Sequence, residues 1–451
     1  MLKPIPLHHT ESSVLLVEEG SDPTAVARSK DQAHWRGAIN LLASILGTGL
    51  LSMPWACKST GLVIFVVGSI LAAGACHTTA CFLVRTVKFL ASQNGGEDAT
   101  YGRLASHVYG PNGERAIQYG LVVQQVGACV GYIVVIGDVF APIMRHYLGM
   151  GHSETTIRNI FVWFFMFPLT VGTKNLASLQ FASAAAVFAI CLFSLAVIVN
   201  YAYVLFDPTE RRHELMREYY PESRSLDGPF LLPSHLLALI RAIPLICFAY
   251  DMHFNAVPIH EDMKVDILPP FSPVQVFSSA SFISFSTSLV VTVLTGITGY
   301  ATFLNETQPD ILINFSVKGT YIAPIMNVVR ASYGIGLALA FPVLVWELRQ
   351  VVFVLTSTPD PVPSLRFWSV TTFIFLLTSL LVLTVSDVTT VFGLVGSTVT
   401  PTLDYIMPSL LYLHSGCAAK YDDTRRAKII LGCGLLLVPT GLGIWIFERL
   451  R

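Results

Sequence analysis

The chain has 451 residues, 53% hydrophobic and only 13% charged, with 28 Lys and Arg against 29 Asp and Glu. Soluble domains average about 25% charged residues, so this chain lacks the polar surface to clothe a water-soluble fold, and its mean hydropathy of +0.61 points to an integral membrane protein. A formal net charge of −1 excludes the concentrated basic face that nucleic acid requires.

Residues 1–33 are polar and lack the apolar core of a signal peptide; they are expected to form a disordered cytosolic tail. Glu11, Leu15 and Leu16 within it fit the acidic-dileucine pattern that a sorting adaptor reads on endolysosomal proteins. From residue 34 onward the chain reads as a membrane domain. A bilayer-spanning helix needs about 20 apolar residues. Eleven such stretches follow, at about 37–57, 62–84, 116–147, 160–171, 176–206, 236–259, 274–303, 322–355, 367–385, 388–413 and 429–447.

The first stretch carries Gly47-Thr48-Gly49 near its middle, followed by Pro54. Unwound backbone in a bilayer survives only beside protein or a polar ligand, and a discontinuous helix offers its half-helix N-terminus to a carboxylate and its carbonyls to a cation. A close-packing face against a neighbouring helix would use the same glycines. In span 3, Gln124, Gln125 and Asp138 either face a cavity or join helices. The sixth stretch is bracketed by Pro244 and Pro258 and places Asp251, His253 and Asn255 in lipid-compatible sequence. A charge at that depth costs about 2.5–3.5 kcal/mol on insertion scales and needs a partner or an aqueous cavity; the plainer alternative ends the span near Tyr250. Asp404 in span 10 is a further intramembrane carboxylate.

Breaks in spans 1 and 6, with four helices between them, are the mark of a five-plus-five inverted repeat. The repeats are expected over about 36–206 and 236–413, with an appended helix at about 429–447. Lys and Arg in the short loops favour a cytosolic N-terminus. The sequons at Asn305 and Asn314 then face the exterior or an organelle lumen, where glycosylation occurs. The chain contains no Walker-type loop, no His-Glu-x-x-His motif and no Gly-x-Ser-x-Gly elbow, so neither an ATP-driven pump nor an enzyme is expected. The eight cysteines show no metal-ligand pairing, and no metal or cofactor is expected.

These residues resemble the amino acid/auxin permease family, in particular its sodium-coupled neutral amino acid transporter branch. The first helix is similar over Asn40 and Gly47 to Ala56, the sixth over Phe248-Ala249-Tyr250 with His253, Pro258 and Ile259, the loop after span 2 over Thr100 to Gly113, and span 8 over Phe341-Pro342-Val343 to Arg349. The resemblance implies an all-α polytopic membrane protein of LeuT type, with about eleven transmembrane helices and broken helices 1 and 6, working by alternating access. It further implies that the backbone of Leu46, Gly47, Thr48, Gly49 and Leu50 holds a substrate carboxylate and that the carbonyls of Phe248, Ala249 and Tyr250 hold its α-amino group, between spans 3, 8 and 10.

The chain departs from the branch at three points. Ala338 and Ala340 stand where a sodium-ligating hydroxyl is expected, leaving Ser332 as a substitute. Ala43 aligns with an asparagine of some relatives, and Asp251 replaces an apolar residue beside His253. Asp251 could pair with His253, bind a cationic substrate or carry a proton. The expected function is therefore secondary active amino acid transport with Na+ or H+ as the co-transported ion. His253 is a candidate proton carrier, because an unperturbed imidazole titrates near 6.5. The alternative is a membrane amino acid sensor with little flux. An endolysosomal or vacuolar membrane is favoured over the plasma membrane, with amino acid, lipid bilayer and adaptor as partners.

Overall fold

The computed structural model describes residues 23–94, 100–149, 154–172, 180–206, 231–232, 236–315, 323–359, 361–385 and 388–450, among which no strand occurs. Each of the eleven expected stretches is mainly helical where it is described. Among the described residues, eight helices are long and apolar enough to cross a bilayer, and Val26–Ile45 with Thr48–Thr60, bent by 50° at their break, form a ninth span. The fourth stretch is the shorter apolar helix Thr156–Gly172, which contains a π turn at Val162–Met166. A second π turn, Thr402–Ile406, divides the tenth stretch between Val388–Pro401 and Met407–His414.

Numbered 1–11 in chain order, spans 1 and 6 pack against each other at the centre, with spans 3 and 10 beside them. Span 8 lies against spans 3 and 5, span 7 against spans 1, 2 and 5, and span 11 against span 10. Apolar side chains cannot drive helices together in lipid, where tails are equally apolar, so close packing of small residues does this work. A β-carbon on Gly296 would lie 2.4 Å from the Phe65 ring, and one on Gly396 would lie 2.3 Å from the Pro244 carbonyl oxygen. The outer surface is apolar: Phe164, Phe188, Phe206, Phe373, Leu380 and Leu436 are each more than half exposed. Such a girdle suits hydrocarbon and would be a liability in water. The turn from span 1 into span 2 needs Gly61, at φ 76°, where a β-carbon would lie 2.6 Å from the backbone of Leu232.

One boundary differs from the sequence expectation. Residues 1–22, including the dileucine residues Glu11, Leu15 and Leu16, lie outside the described residues, but helix already begins at Pro23, not after residue 33. Val26 and Ala33 are buried, Ser29 Oγ donates to the Asp266 carbonyl, and Arg36 pairs with Asp262 at 3.2 Å and Asp266 at 2.7 Å. The segment looks like a polar tail because its polar groups are matched to the end of span 6, far along the chain.

Candidate functional site

Span 1 loses its helical ladder after Leu46, whose N–H still reaches the Leu42 carbonyl at 2.9 Å. Gly47 is extended (φ −140°, ψ −155°), and the chain resumes as a 3₁₀ turn, Thr48–Ser52, then as Met53–Thr60 with Pro54 in its first turn, where a missing N–H costs nothing. Span 6 breaks between Leu236–Phe248 and His253–Asp266, and Pro258 cannot donate back to the Phe254 carbonyl. The two breaks meet: a β-carbon on Gly49 would lie 3.4 Å from Ala249 Cα and 3.5 Å from Phe248 Cδ1. Neither restarted segment is capped by a side chain, at Gly47 or at Met252. Helix starts leave N–H groups without intrahelical partners, and those groups, with the dipole behind them, suit an anion such as a carboxylate.

The surroundings of the breaks are aromatic on one side. Tyr333 Oη donates to the Gly47 carbonyl at 3.4 Å, and the Tyr132 hydroxyl stands 3.5 Å from where a Gly47 β-carbon would be. Phe248 stacks on Phe392 with centroids 4.4 Å apart. The Tyr250 ring is fully buried, its hydroxyl facing Ser69 and Thr292 of spans 2 and 7. Leu46, Thr48 and Leu50 are buried, while Gly47, Phe248 and Asp251 are partly exposed.

On the other side the breaks adjoin a polar network. His253 and Asp404, both 0% exposed, approach at 3.0 Å between Nδ1 and Oδ1. The Thr79 hydroxyl donates to the Ala75 carbonyl at 2.9 Å and lies 2.8 Å from His253 Nε2. With its only hydrogen committed, Thr79 accepts from the imidazole, which fixes the proton on Nε2. Nδ1 and the Asp404 carboxylate then both present lone pairs at hydrogen-bond distance, so the contact is favourable when a proton lies between them. Asp251 neighbours Asp404 and accepts from Gln124 Nε2. Gln125 Nε2 donates to Glu347 Oε2 at 2.5 Å, and Asn255 Nδ2 donates to Ser44 Oγ at 3.0 Å. Cys76, His253 and Asp404 present ligand-type atoms within 4.8 Å of one another. Here, however, the Cys76 thiol donates to Tyr405 Oη at 3.4 Å, and the set reads as a hydrogen-bonded chain.

Of the residues singled out from sequence, the structure brings Gly47, Thr48, Gly49, Phe248, Ala249, Asp251, His253, Gln124 and Asp404 around one centre. Ser332 is not part of it. Its hydroxyl is spent on the Val328 carbonyl of its own helix at 2.9 Å, and its neighbour Tyr333 is the residue that reaches the break. The sequons differ in access. Asn305 is partly exposed, whereas Asn314 is 1% exposed, with its amide donating to the Glu306 carbonyl and accepting from Gln308 N–H, each at 2.8 Å. Glu347 stands two residues before Arg349 within span 8 and was not among the residues the sequence singled out. The test that singled out Asp251, a lone carboxylate inside an apolar run, would have found it.

Broken apolar helices around a buried polar centre define a multi-pass membrane protein of LeuT-type fold. The chain belongs to the family described as transmembrane amino acid transporter protein, whose model matches residues 30–446. It is 23% identical over 434 residues to solute carrier family 38 member 10 of Mus musculus, covering 92% of this chain but 36% of that protein, so it spans about a third of that relative's length. It is 28% identical over 415 residues to amino acid transporter AVT6C of Arabidopsis thaliana, covering 88% and 89% of the two chains. In fold it is similar to Mhp1, a nucleobase-cation-symport-1 family transporter in a closed conformation (TM-score 0.55, 14% identity, 92% and 90% covered). It is likewise similar to a Na+-coupled sialic acid symporter in an outward-open state (TM-score 0.53, 11% identity, 92% and 89% covered).

Proposed function

We propose that the protein is a secondary active amino acid transporter that works by alternating access and couples substrate movement to a proton. The facing breaks of spans 1 and 6 supply uncapped N–H groups for the substrate carboxylate and the carbonyls of Phe248 to Tyr250 for its amino group. The observation that carries proton coupling is the His253–Asp404 pair. The tautomer set by Thr79 makes their 3.0 Å contact a one-proton site, and Asp251 joins it to the substrate break. No hydroxyl of span 8 stands where a sodium ligand is expected, since Ala338 and Ala340 hold those places and Ser332 bonds its own helix.

With the N-terminus cytosolic, Ser44, Asn255, Gln125 and Glu347 lie on the cytosolic side of the breaks, and the Asn305 loop faces a lumen. An acidic endolysosomal or vacuolar lumen would then drive a proton and an amino acid together toward the cytosol. Uptake of labelled amino acids into proteoliposomes, with sodium and pH gradients imposed separately, tests this reading. Uptake should persist in choline buffer and vanish when the pH gradient is collapsed. Uptake that requires sodium and ignores pH overturns proton coupling, and binding without flux would make the protein a sensor.

A further inference from the structure

Two adjacent glutamines on span 3 each give an amide N–H to a different carboxylate: Gln124 to Asp251 of span 6, and Gln125 to Glu347 of span 8. Asn255, four residues beyond Asp251, also faces Glu347 while its amide holds Ser44. Amide donors orient a carboxylate without cancelling its charge. Among the described residues, no Lys or Arg stands within ion-pair distance of Asp251, Glu347 or Asp404, and the imidazole of His253 is the sole basic group paired with the three. An uncompensated carboxylate inside a membrane domain is costly unless a cation or proton reaches it. With one proton lying between His253 and Asp404, Asp251 and Glu347 remain as the two carboxylates to be matched.

A second, independent feature points the same way. Gln124 is 2% exposed, and its carbonyl oxygen, beside Asp251, has no hydrogen-bond donor; Asp251 Oδ1 also lacks one. Acceptors therefore converge with too few donors to meet them. Asp251, Asn255, Glu347 and Ser44 are all partly exposed although they lie within the bundle, so a ligand can reach them.

Resting on the transport reading above, we infer that Asp251 and Glu347, with the Gln124 carbonyl oxygen, form the seat for a cationic substrate side chain, so that the favoured substrates are basic amino acids. The α-carboxylate and α-amino groups sit at the breaks. From there the side chain runs along span 6 from Asp251 to the level of Asn255 and Glu347. Asp251 and Glu347 lie close enough to feel each other's charge, which puts both within the reach of a lysine or arginine side chain. A guanidinium or ammonium supplies the missing donors and balances the carboxylates.

The test compares arginine with citrulline, its neutral near-isostere, in proteoliposomes of the full chain. Wild type should carry arginine with a kcat/KM about tenfold or more above citrulline, because a site built for a charged donor rejects the analogue lacking it. Glu347→Gln and Asp251→Asn should each collapse that ratio toward one. Citrulline carried as well as arginine by wild type overturns the inference, and so does a ratio unchanged in both variants. Arginine should also raise the melting temperature of the purified wild-type protein more than citrulline does, and equal shifts overturn the seat. If no amino acid is carried at all but arginine still stabilises selectively, the transport reading fails and the cationic seat stands.

Discussion

His253 of span 6 and Asp404 of span 10 meet at 3.0 Å in a wholly buried contact. The contact joins a helix that breaks beside the break of span 1 to a helix that packs against its first half. Substituting Asp404 with Asn removes the proton site while keeping the shape. Uptake driven by a pH gradient should fall by about 10–100-fold, the usual span of a coupling free energy, while exchange of labelled for unlabelled substrate at equal pH continues. Proteoliposome counterflow measures both, and parallel loss of exchange would reduce the pair to a structural contact.

Gly396 tests the close approach of span 10 to span 6. An alanine β-carbon would lie 2.3 Å from the Pro244 carbonyl oxygen and 3.2 Å from Phe248 Cβ, and backbone cannot yield as a side-chain tip can. Gly396→Ala should cost about 1–3 kcal/mol through overpacking, seen as a lower melting temperature in detergent. Alanine at Gly393, where the added carbon meets nothing within 4 Å, serves as the control and should melt near wild type.

The loop after span 7 should respond to pH. Asp310 caps the short helix Ile311–Asn314 by accepting from Leu312 N–H at 2.8 Å. Burial pushes its carboxyl up to about 7, against the opposing pull of the Leu312 N–H and the Arg330 guanidinium. A carboxyl raised on folding adds stability that is fully present below its unfolded pKa and is lost as pH rises through the folded one. The loop should therefore tighten between pH 8 and 5. Amide hydrogen exchange over residues 304–315 should slow in acid once corrected for intrinsic rates, and Asp310→Asn should flatten the dependence.

Arg36 ties the N-terminal end of span 1 to the C-terminal end of span 6. The Arg36 side chain is 39% exposed and those of its partners Asp262 and Asp266 are 58% and 40% exposed, so Arg36→Ala should cost under about 1 kcal/mol of stability. Its effect should appear in access instead. A cysteine at Ser44 should react faster with a membrane-impermeant thiol reagent in the Arg36→Ala background. Equal rates would mean that the pairs do not restrain these helix ends.

The sequence disclosed the break positions because glycine, proline and intramembrane charge are local chemical signals. Gly47-Thr48-Gly49 falls on the observed interruption of span 1, and the run from Pro244 to Pro258 brackets that of span 6, between Phe248 and His253. Asp251 and His253 stood out for the same reason. Their partners did not, because pairing is tertiary: nothing near Thr79, Gln124 or Asp404 in sequence says which of them faces which. The helix at residues 23–33 was hidden likewise, since Ser29 and Arg36 look like solvent-facing groups until the end of span 6 lies beside them. Glu347 was legible too, as a carboxylate inside the apolar stretch of span 8.

The wide turn at Thr402–Ile406 carries a consequence for how span 10 is read. A π turn holds one residue more than the α-helical repeat would, which shifts the angular phase of everything after it by roughly 100°. Asp404 and Tyr405 lie inside that shift and are buried, and Tyr412, beyond it, stacks on Phe82 with centroids 4.2 Å apart. The extra residue thus works as a register key for span 10. With it, one helix serves two alignments, one facing His253 before the turn is complete and one facing span 2 after it. Deleting a single residue there would leave the composition and hydropathy of the span almost untouched while turning its inner half to the wrong neighbours.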